Sequence, residues 1–188
     1  MERINGRVPI LFHGADLKNC EAKKYGITGD TESLFITGPA GTGKTYLGVA
    51  MLKEWMYATV KERSSWSDED KRRTSPPSWT WETVPELLLT LRGSFKDHSR
   101  YTEQEVIKDF SDPDLLILDD MGAEKSSEYS IQSLYLIIDR RYSSQSKTII
   151  TSNLSLGQIA EKVGDRIASR IAGMCRVIEL RGKDRRVR

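Results

Sequence analysis

One short segment, GPAGTGKT at Gly38 to Thr45, has the residue types and the spacing of a phosphate-binding loop. In such loops the glycines let successive backbone N–H groups converge on a β-phosphate. Lys44 would reach the β- and γ-phosphates, and the Thr45 hydroxyl would be a ligand of Mg²⁺. The pattern arises by chance in roughly one per cent of chains of this length. We therefore predict a site for ATP or ADP with Mg²⁺, whose nucleotide contacts are Gly38, Pro39, Ala40, Gly41, Thr42, Gly43, Lys44, Thr45 and Tyr46.

Two adjacent carboxylates, Asp119 and Asp120, follow the apolar run LLIL. In a phosphoryl-transfer site the first would hold Mg²⁺, usually through water, and the second would orient or deprotonate the attacking water. Paired acids at a strand end also occur in solvated turns, so the pair alone leaves both interpretations open. Together with the loop, it favours a catalytic site in which Thr45 and Asp119 are the metal ligands.

The elements that must position these residues are indicated by the apolar periodicity. A strand is predicted at 33–37 and a helix from Lys44 to about Val60, so the loop joins a strand to a helix. Further strands are predicted at TWETV, LLILDD, TIITSN and CRVIEL, with helices between them. Helix starts are marked by Pro85, by Thr102 with Glu105, and by Ser155. Strands that alternate with helices predict an α/β fold with a doubly wound parallel sheet.

Composition and charge limit the class of protein. The 188 residues fit one domain, 1–188, and a net charge of +2 does not require a nucleic-acid or membrane partner. The two cysteines, Cys20 and Cys175, are expected to be reduced and structural, because they form no disulfide or zinc pattern. The first residues lack the apolar stretch of a signal peptide, and no apolar run has the length of a membrane helix, so we expect a cytoplasmic protein. Residues 61–79, rich in charge, serine and proline, predict an exposed, mobile insertion.

Four further segments carry a family resemblance: LLILDDMGAEKSSEY, TIITSNLS, GDRIASRI and GKDRR. Together with the loop they resemble the DnaC-type helicase-loader branch of AAA+ ATPases, whose relatives include IstB-type transposition helpers. The resemblance runs from about Val8 to the C-terminus. It implies a five-stranded P-loop NTPase sheet with helices on both faces and no separate helical lid domain.

The resemblance also implies roles for single residues. Asn153 matches the polar sensor that contacts the γ-phosphate or the lytic water, although by itself it would more often cap a helix or form a turn. Arg166 and Arg170, four residues apart on one helix, match an arginine pair, and Arg170 resembles the finger offered to a neighbouring subunit's ATP. Arg186 matches a C-terminal sensor arginine. The family more often has an aromatic residue where this chain has Arg185.

The implied function is that of an ATPase switch that hydrolyses ATP to ADP and phosphate. Many AAA+ proteins have Glu where this chain has Asp120, so slow intrinsic hydrolysis is expected. The leading hypothesis is a helicase loader that acts in DNA replication, with a replicative helicase, single-stranded DNA and an ATP-dependent homo-oligomer as partners. One alternative is an IstB-like helper of a transposase. Two others are a small-molecule kinase and a module that binds ATP without turnover.

Two basic stretches are candidates for DNA contacts: Arg92, Lys96 and Arg100, where Tyr101 would stack on a base, and the tail Arg181 to Arg188. The resemblance favours Arg92 to Arg100, because in the family the helices between the second strand and the acidic strand line a path for single-stranded DNA. Such residues are more often simply solvated. Loader relatives also carry an N-terminal extension that grips the helicase, whereas the resemblance here starts almost at the first residue. The sequence therefore predicts either a truncated chain or a partner that docks elsewhere.

Overall fold

The computed structural model describes residues 8–28, 32–94, 101–123 and 127–186. The chain begins with three short 3-10 helices and continues as five strands that alternate with α-helices. The 3-10 helices are Ile10–Phe12, Leu17–Asn19 and Glu21–Tyr25. The strands are β1 (Leu34–Thr37), β2 (Trp79–Thr83), β3 (Leu115–Met121), β4 (Lys147–Ser152) and β5 (Arg176–Glu179). The helices are α1 (Lys44–Ser64), α2 (Asp68–Arg73), α3 (Val84–Gly93), α4 (Glu103–Ser111), α5 (Glu128–Ser144), α6 (Leu156–Val163) and α7 (Asp165–Met174).

All five strands form one parallel sheet in the order β2-β3-β4-β1-β5. The predicted parallel, doubly wound sheet is therefore confirmed. Strand β4 lies between β1 and β3, so the carboxyl ends of these three strands are neighbours. In open parallel sheets this edge is where ligands bind.

The sheet is covered on both faces, as predicted, because its central strands are apolar on both sides. Alternate residues along β3 face opposite ways: Leu115 and Ile117 pack on one face, and Leu116 and Leu118 on the other. The first face is covered by α1 and by the N-terminal 3-10 helices. The second face is covered by the apolar sides of α3 to α7.

The segment 61–79, predicted to be an exposed, mobile insertion, contains regular helical structure. Helix α1 continues to Ser64, past the predicted end near Val60, and α2 follows within the segment. Helix α2 is stabilised locally, because the Ser67 side chain accepts a hydrogen bond from the Asp70 N–H (3.1 Å) and Arg73 pairs with Glu69 (2.6 Å). Apolar periodicity missed α2 because none of its residues is buried. The mobility of the segment remains a prediction.

The predicted helix caps are confirmed. Thr102 with Glu105 and Ser155 with Gln158 form capping boxes, and the Thr83 side chain caps α3. Both cysteines are free. Among the described residues, no helix is long and apolar enough to cross a membrane. After β5, the described chain up to Arg186 contains no further helix.

Arg141 is a fully buried side chain that joins α5 to the starts of β3 and β4. Its guanidinium donates hydrogen bonds to the carbonyls of Ser111 (2.9 Å), Pro113 (2.8 Å) and Lys147 (2.6 Å) and to the Thr148 hydroxyl (2.9 Å). Burial lowers the pKa of Arg141 to about 10, so the guanidinium remains charged at neutral pH. Apolar periodicity alone does not predict this polar junction.

Candidate functional site

The glycine loop leaves β1 in a conformation that its sequence explains. Gly38 has a φ of +143°, and a Cβ at this position would lie 2.2 Å from the Leu180 carbonyl oxygen. A side chain is therefore excluded where the loop passes the chain that follows β5. Helix α1 starts at Lys44, directly after the loop. Because N–H groups in the first turn of a helix have no partner within the helix, this end of α1 is suited to binding an anion.

Lys44 is buried beside the loop, and its ammonium donates hydrogen bonds to the carbonyls of Gly38 (2.9 Å) and Pro39 (2.8 Å). Burial lowers the pKa of Lys44, whereas the nearby Asp120 and Asp119 raise it. An ammonium has three donors, and two of them hold the loop here. The side chain thus places a positive charge where the loop turns into α1.

The predicted metal ligands lie in direct contact although they are far apart in sequence. The Thr45 hydroxyl donates to both oxygens of the Asp119 carboxylate, at 2.9 and 3.1 Å. Asp119 is 4% exposed and also accepts a hydrogen bond from the Thr151 hydroxyl. Burial is the largest influence on the pKa of Asp119 and raises it, while the hydrogen bond from Thr151 lowers it. Two adjacent oxygen ligands of this kind suit a hard cation such as Mg²⁺.

Asp120 lies at an irregularity that the sequence did not reveal. Its φ is +56°, and the pairing of β3 with β4 shifts between Leu118 and Met121. Such irregularities redirect a side chain, and Asp120 lines the cleft next to Asp119. Its backbone N–H donates to the Thr151 hydroxyl (3.1 Å).

Asn153 is the residue directly after β4 and lines the same cleft. Since β4 lies between β1 and β3, Asn153 is on the strand between the loop and the acid pair. This is the position that the sensor resemblance requires. Its contact with a phosphate or a water remains a prediction.

The cleft above the loop has a volume of about 700 Å³ and includes walls that sequence reasoning missed. One wall is an apolar patch from the N-terminal 3-10 helices, where Leu11 is 77% exposed. Tyr46 ties this segment to α1, because its hydroxyl donates to the Gly14 carbonyl (3.0 Å). The sequence signal that could have indicated this wall is the apolar run at Ile10 to Phe12, in a short segment without strand or long-helix periodicity. The additional lining residues are Pro9, Leu11, Phe12, Asn19, Trp81, Thr83 and Arg185.

The segment that follows β5, residues 180–186, forms another side of the cleft. The Arg185 N–H donates to the Gly41 carbonyl (3.0 Å), and both Arg185 and Arg186 line the cleft. Arg186 is paired with Asp184 at 3.2 Å. The structure therefore brings Arg186 to the nucleotide loop, while its role as a sensor remains a prediction.

Arg166 and Arg170 are on α7 and do not belong to the described residues that line the cleft of their own chain. Arg166 is exposed. Arg170 pairs through Nε with the Asp139 carboxylate at 2.8 Å, and its guanidinium lies over the Tyr142 ring. The hydrogen bond that Arg170 donates to Asp139 raises the pKa of Arg170.

Of the predicted DNA contacts, Arg92 is in α3 and Tyr101 is half exposed. Lys96 and Arg100 lie outside the described residues, as do residues 187–188 of the basic tail. Arg181, in the described part of that tail, pairs with Glu179 at 2.9 Å. The DNA contacts therefore remain predictions.

A parallel sheet with a glycine loop after β1, facing an acid pair at the end of β3, defines a P-loop nucleotide-binding protein of the AAA+ class. Comparison with protein families identifies the branch: residues 78–188 match the IstB-like ATP binding protein family. This match covers more than half of the chain. The chain belongs to the IstB-like ATP-binding family.

Several relatives are named as helicase loaders. The chain is 33% identical over 187 residues to the replicative helicase loader DnaC of Buchnera aphidicola subsp. Schizaphis graminum. The alignment covers 91% of this chain and 69% of the relative. It is 25% identical over 143 residues to DnaC of Escherichia coli K12, covering 76% of this chain and 51% of that protein. It is also 28% identical over 162 residues to a putative ATP-binding protein of insertion sequence IS5376 from Geobacillus stearothermophilus, covering 84% and 56%. The chain thus spans about half the length of the E. coli loader.

Solved structures agree on the fold. A crystal structure of the DnaC helicase loader superposes with a TM-score of 0.65 at 21% identity, covering 92% of this chain and 100% of that one. The DnaI structure gives 0.67 at 24% identity, covering 95% and 94%. AMPPCP-bound DnaA from Aquifex aeolicus gives 0.66 at 21% identity, covering 94% and 54%.

Proposed function

We propose that this chain is an ATP-hydrolysing AAA+ switch that acts in DNA replication as a helicase loader on single-stranded DNA in the cytoplasm. The observation that carries the proposal is the contact between Thr45 and Asp119, which joins the phosphate loop to the acidic strand. The loader function is supported by the similarity to proteins named replicative helicase loader DnaC.

In the proposed reaction, water attacks the γ-phosphorus of ATP, and the bond to the β,γ-bridging oxygen breaks to give ADP and phosphate. Asp120 orients the water and accepts its proton, and Asn153 holds the water or the γ-phosphate. Lys44 and the N–H groups of the loop bind the phosphates. Thr45 and Asp119 would hold Mg²⁺, which neutralises charge on the β- and γ-oxygens when bound. Among the described residues, no group of three or more acidic, histidine or cysteine side chains could hold a metal ion.

The positive charge for the transition state is proposed to come from a neighbouring copy. Arg170, with Arg166 beside it, is on the surface of α7 and away from its own cleft. In an ATP-dependent homo-oligomer, Arg170 would contact the γ-phosphate bound by the next subunit. Arg186 would contact the nucleotide within its own chain, after exchanging Asp184 for a phosphate.

The test of hydrolysis in trans is Arg170→Ala. ATP binding should persist, while turnover should fall about 10³-fold, as for the loss of other arginine fingers. Arg73→Ala is a matched control, because Arg73 is also an exposed arginine in an ion pair but lies on α2. A variant without Arg170 that hydrolyses ATP normally would exclude the finger role.

Helicase loading is tested by adding the chain and ATP to the cognate replicative helicase and single-stranded DNA coated with single-strand-binding protein. Helicase bound to the DNA should increase only when the chain and ATP are both present. The DNA contacts are tested with the double variant Arg92→Glu, Arg100→Glu, whose affinity for single-stranded DNA at low salt should be lower than that of the natural chain. Unaltered DNA binding in this double variant would show that the DNA contacts are elsewhere.

A second function is supported by the family name and by the relative from an insertion sequence. In that case the partner is a transposase and the nucleotide chemistry is unchanged. ATP turnover measured with purified helicase and with purified transposase separates the two, because the true partner should change the rate. Turnover that responds to nucleoside monophosphates and not to DNA would instead indicate a small-molecule kinase, and no turnover with any partner would indicate a binding module.

A further inference from the structure

Arg170 contacts residues of the neighbouring helix α5: it pairs with Asp139, lies over the Tyr142 ring, and shares a side-chain hydrogen bond with Tyr135. Its Nε lies 2.8 Å from Oδ1 of Asp139, and its guanidinium carbon lies 4.9 Å from the centre of the Tyr142 ring. Asp139 and Tyr142 are three residues apart, so they project from the same side of α5. The carboxylate fixes one edge of the guanidinium and the ring supports its flat face.

The Tyr142 ring is itself positioned by a glycine on α7. A Cβ at Gly173 would lie 2.9 Å from Cε2 of Tyr142, closer than two carbon atoms can approach without displacement. Glycine is an unfavourable residue within a helix, so its presence in the last turn of α7 requires a reason. The close approach of the ring is such a reason. Gly173 and Arg170 are three residues apart, so the ring contacts α7 at both positions.

This cluster is poorly explained by stability. The side chains of Arg170 and Asp139 are 37% and 33% exposed, and ion pairs in contact with solvent contribute little to folding. Among the described residues, those that line the chain's own nucleotide cleft include none of Asp139, Tyr142 and Arg170. What the cluster does is restrict a long, flexible side chain to one orientation at the surface. The bond to Asp139 uses Nε, and the guanidinium also has donors on its two terminal nitrogens.

We propose that Asp139 and Tyr142 are positioning residues, which hold the Arg170 guanidinium ready to contact the γ-phosphate of ATP bound by a second copy of this chain. The inference rests on the proposed function, because it requires Arg170 to act in trans. A finger that is already oriented loses less side-chain freedom when the subunits meet, so a larger share of its interaction energy stabilises the transition state. Removing the support should therefore lower kcat and leave the KM for ATP unchanged.

The test mixes two inactive variants. Chains with Arg170→Ala retain the nucleotide site and lack the finger, while chains with Asp120→Asn bind ATP, do not hydrolyse it, and retain the finger. A mixture should recover turnover if the finger acts in trans. The Asp120→Asn partner is then replaced by Asp120→Asn with Asp139→Asn, and we expect recovery to fall about tenfold. As a matched control, Asp120→Asn with Glu69→Gln removes the acid of another exposed arginine pair and should support full recovery.

The outcomes separate the inference from the function on which it rests. If the first mixture recovers no turnover, Arg170 does not act in trans, and the arginine-finger part of the proposed function is wrong. If it recovers turnover and the Asp139→Asn partner supports the same rate, the positioning role is wrong. Two single-site variants distinguish positioning from folding: Tyr142→Phe should retain kcat because the ring remains, and Tyr142→Leu should lower it about tenfold at an unchanged KM. Equal rates in these two variants would also overturn the inference.

Discussion

Asp119 is a buried carboxylate whose charge is unfavourable for the nucleotide-free fold. It is 4% exposed and adjacent to Asp120, and its pKa is raised, with burial as the largest cause, although hydrogen bonds from Thr151 and Thr45 act to lower it. We predict that Asp119→Asn makes the nucleotide-free chain more stable while it abolishes Mg²⁺-dependent hydrolysis. Cation-binding sites commonly lower the stability of the fold when the cation is absent, because their charged ligands then repel each other or remain desolvated.

The magnitude follows from what asparagine can retain. Its side chain has the same shape, its carbonyl oxygen can accept the bond from Thr151, and its amide can donate to the Thr45 hydroxyl. The substitution therefore removes a desolvated charge without creating a cavity. We expect a gain of about 1 kcal/mol in the free energy of unfolding. For a chain of this size that gain corresponds to an increase in Tm of about 2–4 °C.

The raised pKa of Asp119 also predicts how the stability difference between the variant and the natural chain changes with pH. Since the pKa of Asp119 is higher in the folded state than in the unfolded chain, the folded state binds its proton more tightly. The contribution of Asp119 to stability therefore falls as the pH rises from the unfolded-state value, about 4, through the folded-state pKa. The variant lacks this titration. Its advantage over the natural chain should be absent at low pH and fully developed at neutral pH.

The assay is thermal unfolding in the presence of a chelator, from about pH 4 to about pH 8. Asp109→Asn is the control, because Asp109 is an exposed carboxylate, and its replacement should leave Tm within about 1 °C. An Asp119→Asn chain that is less stable than the natural chain at pH 7 would refute the reasoning. So would a stability difference that does not change with pH.

Three further predictions concern other parts of the molecule. Arg141→Met should lower the free energy of unfolding by about 3 kcal/mol in denaturant titrations, because four polar partners lose their donors; Arg140→Met, at an exposed neighbour, should change it little. Gly41→Ala should abolish ATP binding measured by calorimetry, because Gly41 has a φ of +75° and a Cβ there would lie 1.8 Å from Oδ1 of Asp184. The Cys175 thiol, whose pKa burial raises to about 12, should react with a thiol reagent only at the rate of unfolding, and faster labelling would contradict its burial.

The sequence was sufficient to predict the part of the site that follows from a parallel sheet. Strands that end in polar residues bring those residues to one edge, so the loop after β1, Asp119 and Asn153 had to be neighbours. The alternation of side chains along β3 also places Asp119 on the face of Leu115 and Ile117, which is the face that α1 covers. The contact between Thr45 and Asp119 is the consequence.

The remaining parts depend on contacts that no local pattern encodes. The apolar wall at Leu11 and Phe12 depends on long-range contacts between the N-terminal segment and α1, such as the hydrogen bond from the Tyr46 hydroxyl to the Gly14 carbonyl. The irregularity at Asp120 arises in the pairing of β3 with β4, and Asp120 itself is neither a glycine nor a proline. The pairing of Arg170 with Asp139 joins two helices that are distant in sequence. Each of these features depends on contacts between residues that are distant in sequence, so no local sequence pattern predicts it.

The division of charge in the structure argues that nucleotide binding and nucleotide turnover are separate properties of this chain. The groups proposed to hold phosphate, Lys44 and the N–H end of α1, lie within one molecule and would contact ATP both before and during the reaction. Only interactions that strengthen in the transition state accelerate hydrolysis. The arginines proposed for that purpose are Arg186, which is paired with Asp184, and Arg170, which is not among the residues that line its own cleft. Under the proposed function, a single chain would therefore bind ATP with a nearly complete site and hydrolyse it slowly, and assembly would supply the charge that the site lacks.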